Sequence, residues 1–365
     1  MVWSVSERIS LQVMHMLISI ILARLLDPSE FGLLGMLAIF TSIAQSVLDS
    51  GFGSALIQKK DATQTDSSSI FYFNLLIGIF LASIFFFSAP LIADFYHQEK
   101  NTQAEQVLQK AEQLASTDSE KAALYWRQAR TVLNLADDAE RDGTMSETEL
   151  LAEYERGEAL AQKAVELNPD DHNAYYWRAS NVGRWGQTKG ILNSLMKAGP
   201  MRDDLEIAVR KDPEHADSFY VLGLLYASVP KMISFGNVEY AVSYARRAID
   251  VYDGDKTKYS YYLKLGEHLQ QRGWDARKRM REAEKLAGKY RGESDPVEKY
   301  KYYEADFDFD SSQPYSRSGV EGLSDLEEAL KIMEWIEDEL SRKSNPTSSE
   351  RDQLKDAREH LADWK

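Results

Sequence analysis

Cysteine is absent from the 365 residues of this chain, which excludes disulfide bonds, thiolate metal ligands and thiol nucleophiles. The six histidines are scattered singly, and no His-Glu-x-x-His or related spacing sets two of them on one helical face as metal ligands. No Gly-x-Ser-x-Gly elbow presents a nucleophilic serine. The glycine-rich stretch Arg184-Trp185-Gly186-Gln187-Thr188-Lys189-Gly190 matches neither a P-loop nor a dinucleotide fingerprint, and reads as helix termination. Asp306-Phe307-Asp308-Phe309-Asp310 alternates carboxylates as a calcium loop does, but Ser311 replaces the required glycine and Arg317 the closing glutamate. These absences predict a protein that is not an enzyme, with no catalytic residue, metal or cofactor. The net charge of −15 repels phosphate, so nucleic acid is not an expected partner.

Charge is also scarce in one part of the chain. The first 98 residues hold four basic side chains (Arg8, Arg24, Lys59, Lys60) and seven acidic ones, amid Leu, Ile, Phe, Ala, Ser and Gly. Three stretches, Ile9–Leu25, Phe31–Ile57 and Ser69–Tyr96, approach or exceed the roughly 20 apolar residues that cross a bilayer as helix. Asp27-Pro28-Ser29-Glu30 reads as a turn with a helix start, and 59–66 as a polar connection. Gln45, Asp49 and Asn74 then lie at membrane depth, where polar side chains are costly and are functional candidates, unless they face sister helices. Lys59 and Lys60 place their loop in the cytoplasm by the positive-inside rule, and everything after the third span in the periplasm.

Ala23-Arg24-Leu25-Leu26-Asp27-Pro28-Ser29-Glu30-Phe31-Gly32, Asp49-Ser50-Gly51-Phe52-Gly53-Ser54-Ala55-Leu56-Ile57-Gln58 and Phe71-Tyr72-Phe73-Asn74 carry a resemblance. From about Val2 to Tyr96 the chain is similar to bacterial polysaccharide exporters, the lipid-linked oligosaccharide flippases of the MOP superfamily. That resemblance implies passage of a glycan lipid between two bundles totalling about twelve or more helices. Only about three are present here, too few for two opposed bundles around a midplane site.

From about Thr102 the pattern turns to helical periodicity with charged faces and no alternating strand. Ser146-Glu147-Thr148-Glu149 and Ser324-Asp325-Leu326-Glu327 are capping boxes that predict helix starts. Ala164-Val165-Glu166-Leu167-Asn168-Pro169-Asp170 recurs as Ala208-Val209-Arg210-Lys211-Asp212-Pro213-Glu214, a period of 44 residues, with a weaker copy from Ala248. In this register Ala179 and Gly223 fall where two helices would cross, Tyr175, Phe219 and Tyr226 fill the space beside them, and proline closes each second helix. That arrangement is similar to a tetratricopeptide repeat. The excess over that repeat's usual length is assigned to an extension between two helices, from Arg184 to Pro200.

Tyr125-Trp126-Arg127, Tyr176-Trp177-Arg178-Ala179, Lys189-Gly190-Ile191 and Leu222-Gly223-Leu224-Leu225-Tyr226, with the Asn-Pro turn at 168–169, resemble tetratricopeptide proteins related to the regulators of microtubule dynamics. The resemblance runs from about Tyr125 to Tyr290 and implies a binding fold rather than a reaction.

The predicted architecture is therefore all-α: transmembrane helices in 1–98, a helical linker and first repeat helices in 99–145, a tetratricopeptide-like α-solenoid in 146–290, and an acidic loop with C-terminal capping helices in 291–365. The expected function is a membrane-anchored scaffold in the bacterial inner membrane, touching lipid through its first helices and a protein or peptide through a groove lined by Tyr176, Trp177, Tyr220 and Tyr226. Two alternatives stand beside it: a truncated flippase contributing to polysaccharide export, or two unrelated reading frames joined near Tyr96–Lys100, where the first resemblance stops in mid-domain.

Overall fold

A computed structural model of the chain describes residues 71–73, 75–80, 103–232, 234–254, 256–305 and 322–365, together with Thr63, Ser68 and Ser83. Every regular element among the described residues is helical, and no strand occurs. The chain divides into two units, Met1–Lys100 and Asn101–Lys365. In the first, 71–73 and 75–80 are helical, and Phe71, Tyr72, Leu76, Ile79 and Phe80 expose their side chains. No helix among the described residues is long and apolar enough to cross a membrane. The first two predicted spans lie outside the described residues and the third is described only at 71–73, 75–80 and Ser83; Gln45, Asp49 and Asn74 lie outside them, as does the acidic run 306–310.

The second unit is a helical array. After a leading helical segment at 103–112 come α1 (Asp118–Arg141), α2 (Glu147–Leu167), α3 (His172–Lys189), α4 (Ile191–Lys211), α5 (Ala216–Ser228), α6 (Val238–Asp250) and α7 (Tyr259–Arg272). They are followed by α8 (Ala276–Gly292), α9 (Pro296–Tyr300), a 3₁₀ turn (Tyr303–Ala305), α10 (Asp325–Ser341) and α11 (Ser348–Trp364). The two capping boxes read from sequence both form, with Ser146 and Ser324 accepting from the amides of Glu149 and Glu327. In α1 the buried residues Ala122, Trp126, Ala129, Leu133 and Ala136 recur every three or four positions, a single stripe that must be covered by neighbours. Each helix packs on the next from α1 to α7, α1 also packs on α3, and α5 on α7, giving a solenoid-like stack. All the buried apolar clusters of this unit are built from residues between 122 and 361, so it carries its own core.

Close crossings explain the small residues. A Cβ placed on Gly223 would stand 3.3 Å from the Ala241 carbonyl of α6, so α5 and α6 meet backbone to backbone. The corresponding small residue of α7, Gly266, faces Met333 of α10, not a residue of α8. Helix α7 therefore takes α10 as its partner, and residues 273–324 form an insertion between the two paired helices. A Cβ on Gly157 of α2 would lie 1.9 Å from Oδ1 of the buried Asn181 in α3. We expect Gly157→Ala to destabilise the unit by about 1–3 kcal/mol, measured by urea unfolding; an unchanged midpoint would show that α2 and α3 can separate freely.

One expectation is corrected. The Arg184–Pro200 stretch is not an extension between helices: α3 runs through Gly183 and Gly186 to Lys189, and α4 starts at Ile191 and continues through Pro200. Only Gly190 interrupts the helices, at φ +101°, a conformation that side-chain-bearing residues rarely adopt. The extra residues lengthen both helices instead. Gly186 lets Ser194 approach, with its Cα 3.1 Å from where a Cβ would stand, so the elbow closes without a loop.

The insertion is fastened by a buried ionic cluster. Arg246 of α6 donates two bonds of 2.9 Å to the two carboxylate oxygens of Glu328 and one of 3.0 Å to Glu304 in the 3₁₀ turn. Arg272, at the end of α7, donates two bonds of 2.7 Å to Asp325 and also binds Glu304. Arg279 of α8 completes the set, 2.6 Å from Glu328. Three guanidinium groups thus face three carboxylates. Burial alone would raise the Glu328 carboxyl, but the charges of Arg246 and Arg279 and the bonds from Arg246 outweigh it and hold it at about 2.

Candidate functional site

The starts of α3, α5 and α7 occupy equivalent repeat positions, and the turns before α3 and α5 have the same chemistry. Asn168 Oδ1 accepts from the Asp170 amide at 3.2 Å, and Asp212 Oδ1 from the Glu214 amide at 3.0 Å, each an Asx turn closed by proline. The backbone amide of Ala174 then bonds Asp171, that of Ser218 bonds His215, and that of Tyr261 bonds Lys258. Asp171, His215 and Lys258 are therefore successive residues of one structural position at the three helix starts.

Around these starts runs a strip of aromatic and ionisable side chains. The His172 and His215 rings lie 4.8 Å apart, and Tyr176 meets His215 edge to face at 4.9 Å. Tyr220 stacks on Tyr261 at 4.6 Å and 21°, and Tyr252 abuts Tyr261 at 5.7 Å. Asp217 accepts from the Tyr261 hydroxyl and from Lys258 Nζ at 3.1 Å. Asp217 and Lys258 remain 40% and 38% exposed, so the strip offers a paired charge on an aromatic floor.

The electrostatics follow from that burial. The Tyr220 hydroxyl is pushed up to about 12, mainly by burial and further by the Glu267 charge. Burial raises Tyr176 and Tyr261 too, with Asp217 adding to each. His215 is held below the usual imidazole range by burial and then by His172, and its Nδ1 lies 2.7 Å from Ser218 Oγ. Burial thus favours its neutral form, an aromatic surface with a hydrogen bond to Ser218 and not a charge.

Of the four predicted groove residues, the structure brings Tyr176 and Tyr220 into this strip. Trp177 touches Tyr176 at 4.9 Å but turns its half-buried ring toward the core between α1, α2 and α3. Tyr226 lies elsewhere, packed among Phe235, Tyr240 and Tyr244 with its hydroxyl 3.4 Å from Glu206. The strip's polar members, His172, His215, Asp217 and Lys258, were not singled out from sequence. Their common signal is the position beside each helix start, visible once the register is extended by a step of 43 residues from His215 to Lys258.

A second concavity of about 300 Å³ opens between α3, α4 and α5, lined by Gly183, Gly186, Leu195, Ala198, Met201 and Leu225 among others. Its two glycines, Gly183 and Gly186 of α3, are the places where Met201 and Ser194 of α4 come close. Among the described residues no three metal-ligating side chains converge.

Comparison with known proteins divides the chain as its composition does. A family model described as polysaccharide biosynthesis protein matches residues 21–131, and one described as regulator of microtubule dynamics protein 1-3 matches residues 91–238. The teichuronic acid biosynthesis protein TuaB of Bacillus subtilis is 45% identical over 60 residues, 16% of this chain and 12% of that protein. The lipopolysaccharide biosynthesis protein WzxC of Escherichia coli is 28% identical over 74 residues, 20% of this chain and 15% of that protein. Regulator of microtubule dynamics protein 1 of Bos taurus is 31% identical over 115 residues, 32% of this chain and 35% of that protein. The chain thus spans only about an eighth to a third of the length of these relatives. The boundary between the two structural units, at Lys100, falls within the 91–131 overlap of the two models. The chain is accordingly a chimera in its likenesses, a segment similar to polysaccharide biosynthesis proteins joined to a helical segment similar to the regulators of microtubule dynamics.

Proposed function

We propose that this protein is a membrane-anchored scaffold of tetratricopeptide-like helix pairs that holds a protein or peptide partner against the strip at the starts of α3, α5 and α7. The observation that carries this reading is the strip itself: the half-buried rings of His172, His215, Tyr220 and Tyr252 lie over the buried Tyr176 and Tyr261 across three successive repeats, with the Asp217–Lys258 pair at the surface. Rigid aromatics flanked by a solvent-facing charge pair suit an extended chain, whose side chains they grip and whose backbone amides the charges orient. The anchor would be the leading segment, by its apolar composition and its likeness to polysaccharide biosynthesis proteins, one of whose relatives is a membrane protein in a Klebsiella pneumoniae cps region. The repeat block would face the periplasm.

A random peptide library displayed on phage and selected against the full chain in detergent tests the groove. Selected peptides should lose at least about tenfold in affinity on Tyr220→Ala with Lys258→Glu, and nothing on Met232→Ser, which alters a fully exposed loop residue. Selection of no peptide, or peptides indifferent to the first variant, would refute the groove. The likeness over residues 21–131 favours one second reading, a part in export of a lipid-linked polysaccharide. Restored surface glycan in a flippase-null bacterium would support it, and failure despite membrane expression would count against it.

A further inference from the structure

Helix α8 differs from the unit that carries it. Its 17 residues hold seven arginines and lysines against two glutamates, in a chain of net charge −15. It belongs to the insertion between α7 and α10, so the stack of paired helices continues without it. Tyr290 is its only buried residue, whereas Arg277, Met280, Arg281, Lys285, Lys289 and Arg291 are exposed.

Both ends of this helix are fixed. Arg279 donates to the Leu323 and Ser324 carbonyls at 3.1 and 3.2 Å as well as to Glu328, and Lys278 sits 4.7 Å over the Trp274 ring. At the far end the Tyr290 ring packs 5.9 Å from Tyr303. Between these attachments Glu282 lies 3.6 Å from Arg281 and 3.1 Å from Lys285, and the exposed Glu284 stands among the outward cations, which outnumber these two acids. The result is a firmly mounted helix that gives the core only Tyr290 and the Arg279 contacts, and shows cations from an otherwise acidic unit.

Such a stripe attracts an anionic partner, and its intensity falls off within a Debye length of about 10 Å, so the partner must be close. Resting on the membrane-anchor reading above, the surface held nearest by the same polypeptide is a bilayer. We propose that α8 docks on the anionic headgroups of a membrane surface, with Arg277, Arg281 and Lys285 contacting phosphates and Met280 entering the headgroup layer. Docking would lay the repeat unit against the bilayer in one orientation and thereby set the direction in which its strip faces.

Flotation of the Asn101–Lys365 unit, which carries its own core, with vesicles of phosphatidylcholine alone or mixed with phosphatidylglycerol tests this without the leading segment. The unit should float with the mixed vesicles only and be released by salt. Arg277→Gln, Arg281→Gln and Lys285→Gln together should weaken binding on the order of a hundredfold, from about 1 kcal/mol per cation, with the helical circular dichroism and melting midpoint unchanged. No flotation, equal flotation on neutral vesicles, a triple variant that binds as before, or tighter binding to polyglutamate or an oligonucleotide than to the vesicles would each overturn the proposal. Failure of the anchor itself would show separately, as full-length chain found free of membranes.

Discussion

Replacing Glu328 with alanine is expected to cost the helical unit about 3–5 kcal/mol, the penalty of leaving a buried guanidinium without its main partner. Arg246 is fully enclosed and holds Glu328 through a two-pronged pair, and Arg279 binds the same carboxylate, so a single truncation takes a partner from both arginines and leaves Arg246 with Glu304 alone. Urea unfolding followed by circular dichroism measures the loss, and a cost below about 1 kcal/mol would show that water reaches the cluster. The double change Arg246→Met with Glu328→Leu should recover most of the stability, because removing both ions removes the need to desolvate them. The pH dependence has a definite sign. Glu328 is held at about 2 in the folded chain, below the ordinary 4.5, so its contribution is complete above about pH 4.5 and is lost as the pH falls toward 2. Glu304 is lowered in the same sense: burial alone would raise it, but Arg272 and Arg246 outweigh that. Acid should therefore release the insertion and α10.

How much of this was legible in the sequence depends on the range of the interaction. Local chemistry read directly: the serines and glutamates at 146–149 and 324–327 announce helix starts because the capping partners are three residues apart. The repeat register also read correctly where a small residue must sit, since Gly223 does face the backbone of α6. The all-α class followed from periodicity alone. The glycine-rich elbow was misread because two glycines within a helix look the same in sequence as glycines that end one. What separates them is Ser194 and Met201 crowding against α3, a tertiary contact.

The pairing of α7 with α10 was hidden for a similar reason. The residues that fasten it, Arg246, Arg272, Arg279, Glu304, Asp325 and Glu328, are spread over more than eighty positions, and each alone reads as a solvated charge. Of the strip, the sequence named Tyr176 and Tyr220 among its candidates. The polar half was not visible, because an N-terminal Asp, His and Lys share no chemistry, only a position. The overall acidity, which argued against phosphate ligands, also masked the local excess of cations on α8.

The claim with most resting on it is that an apolar leading segment tethers an independently folded helical array. It is tested most directly by separating membranes from soluble protein after an alkaline carbonate wash, for the full chain and for Asn101–Lys365 expressed side by side. The account predicts the full chain in the membrane pellet and the shorter chain in the supernatant, monomeric and with helix-rich circular dichroism. A full chain that washes into the supernatant without detergent, or a shorter chain lacking helical signal, would contradict it.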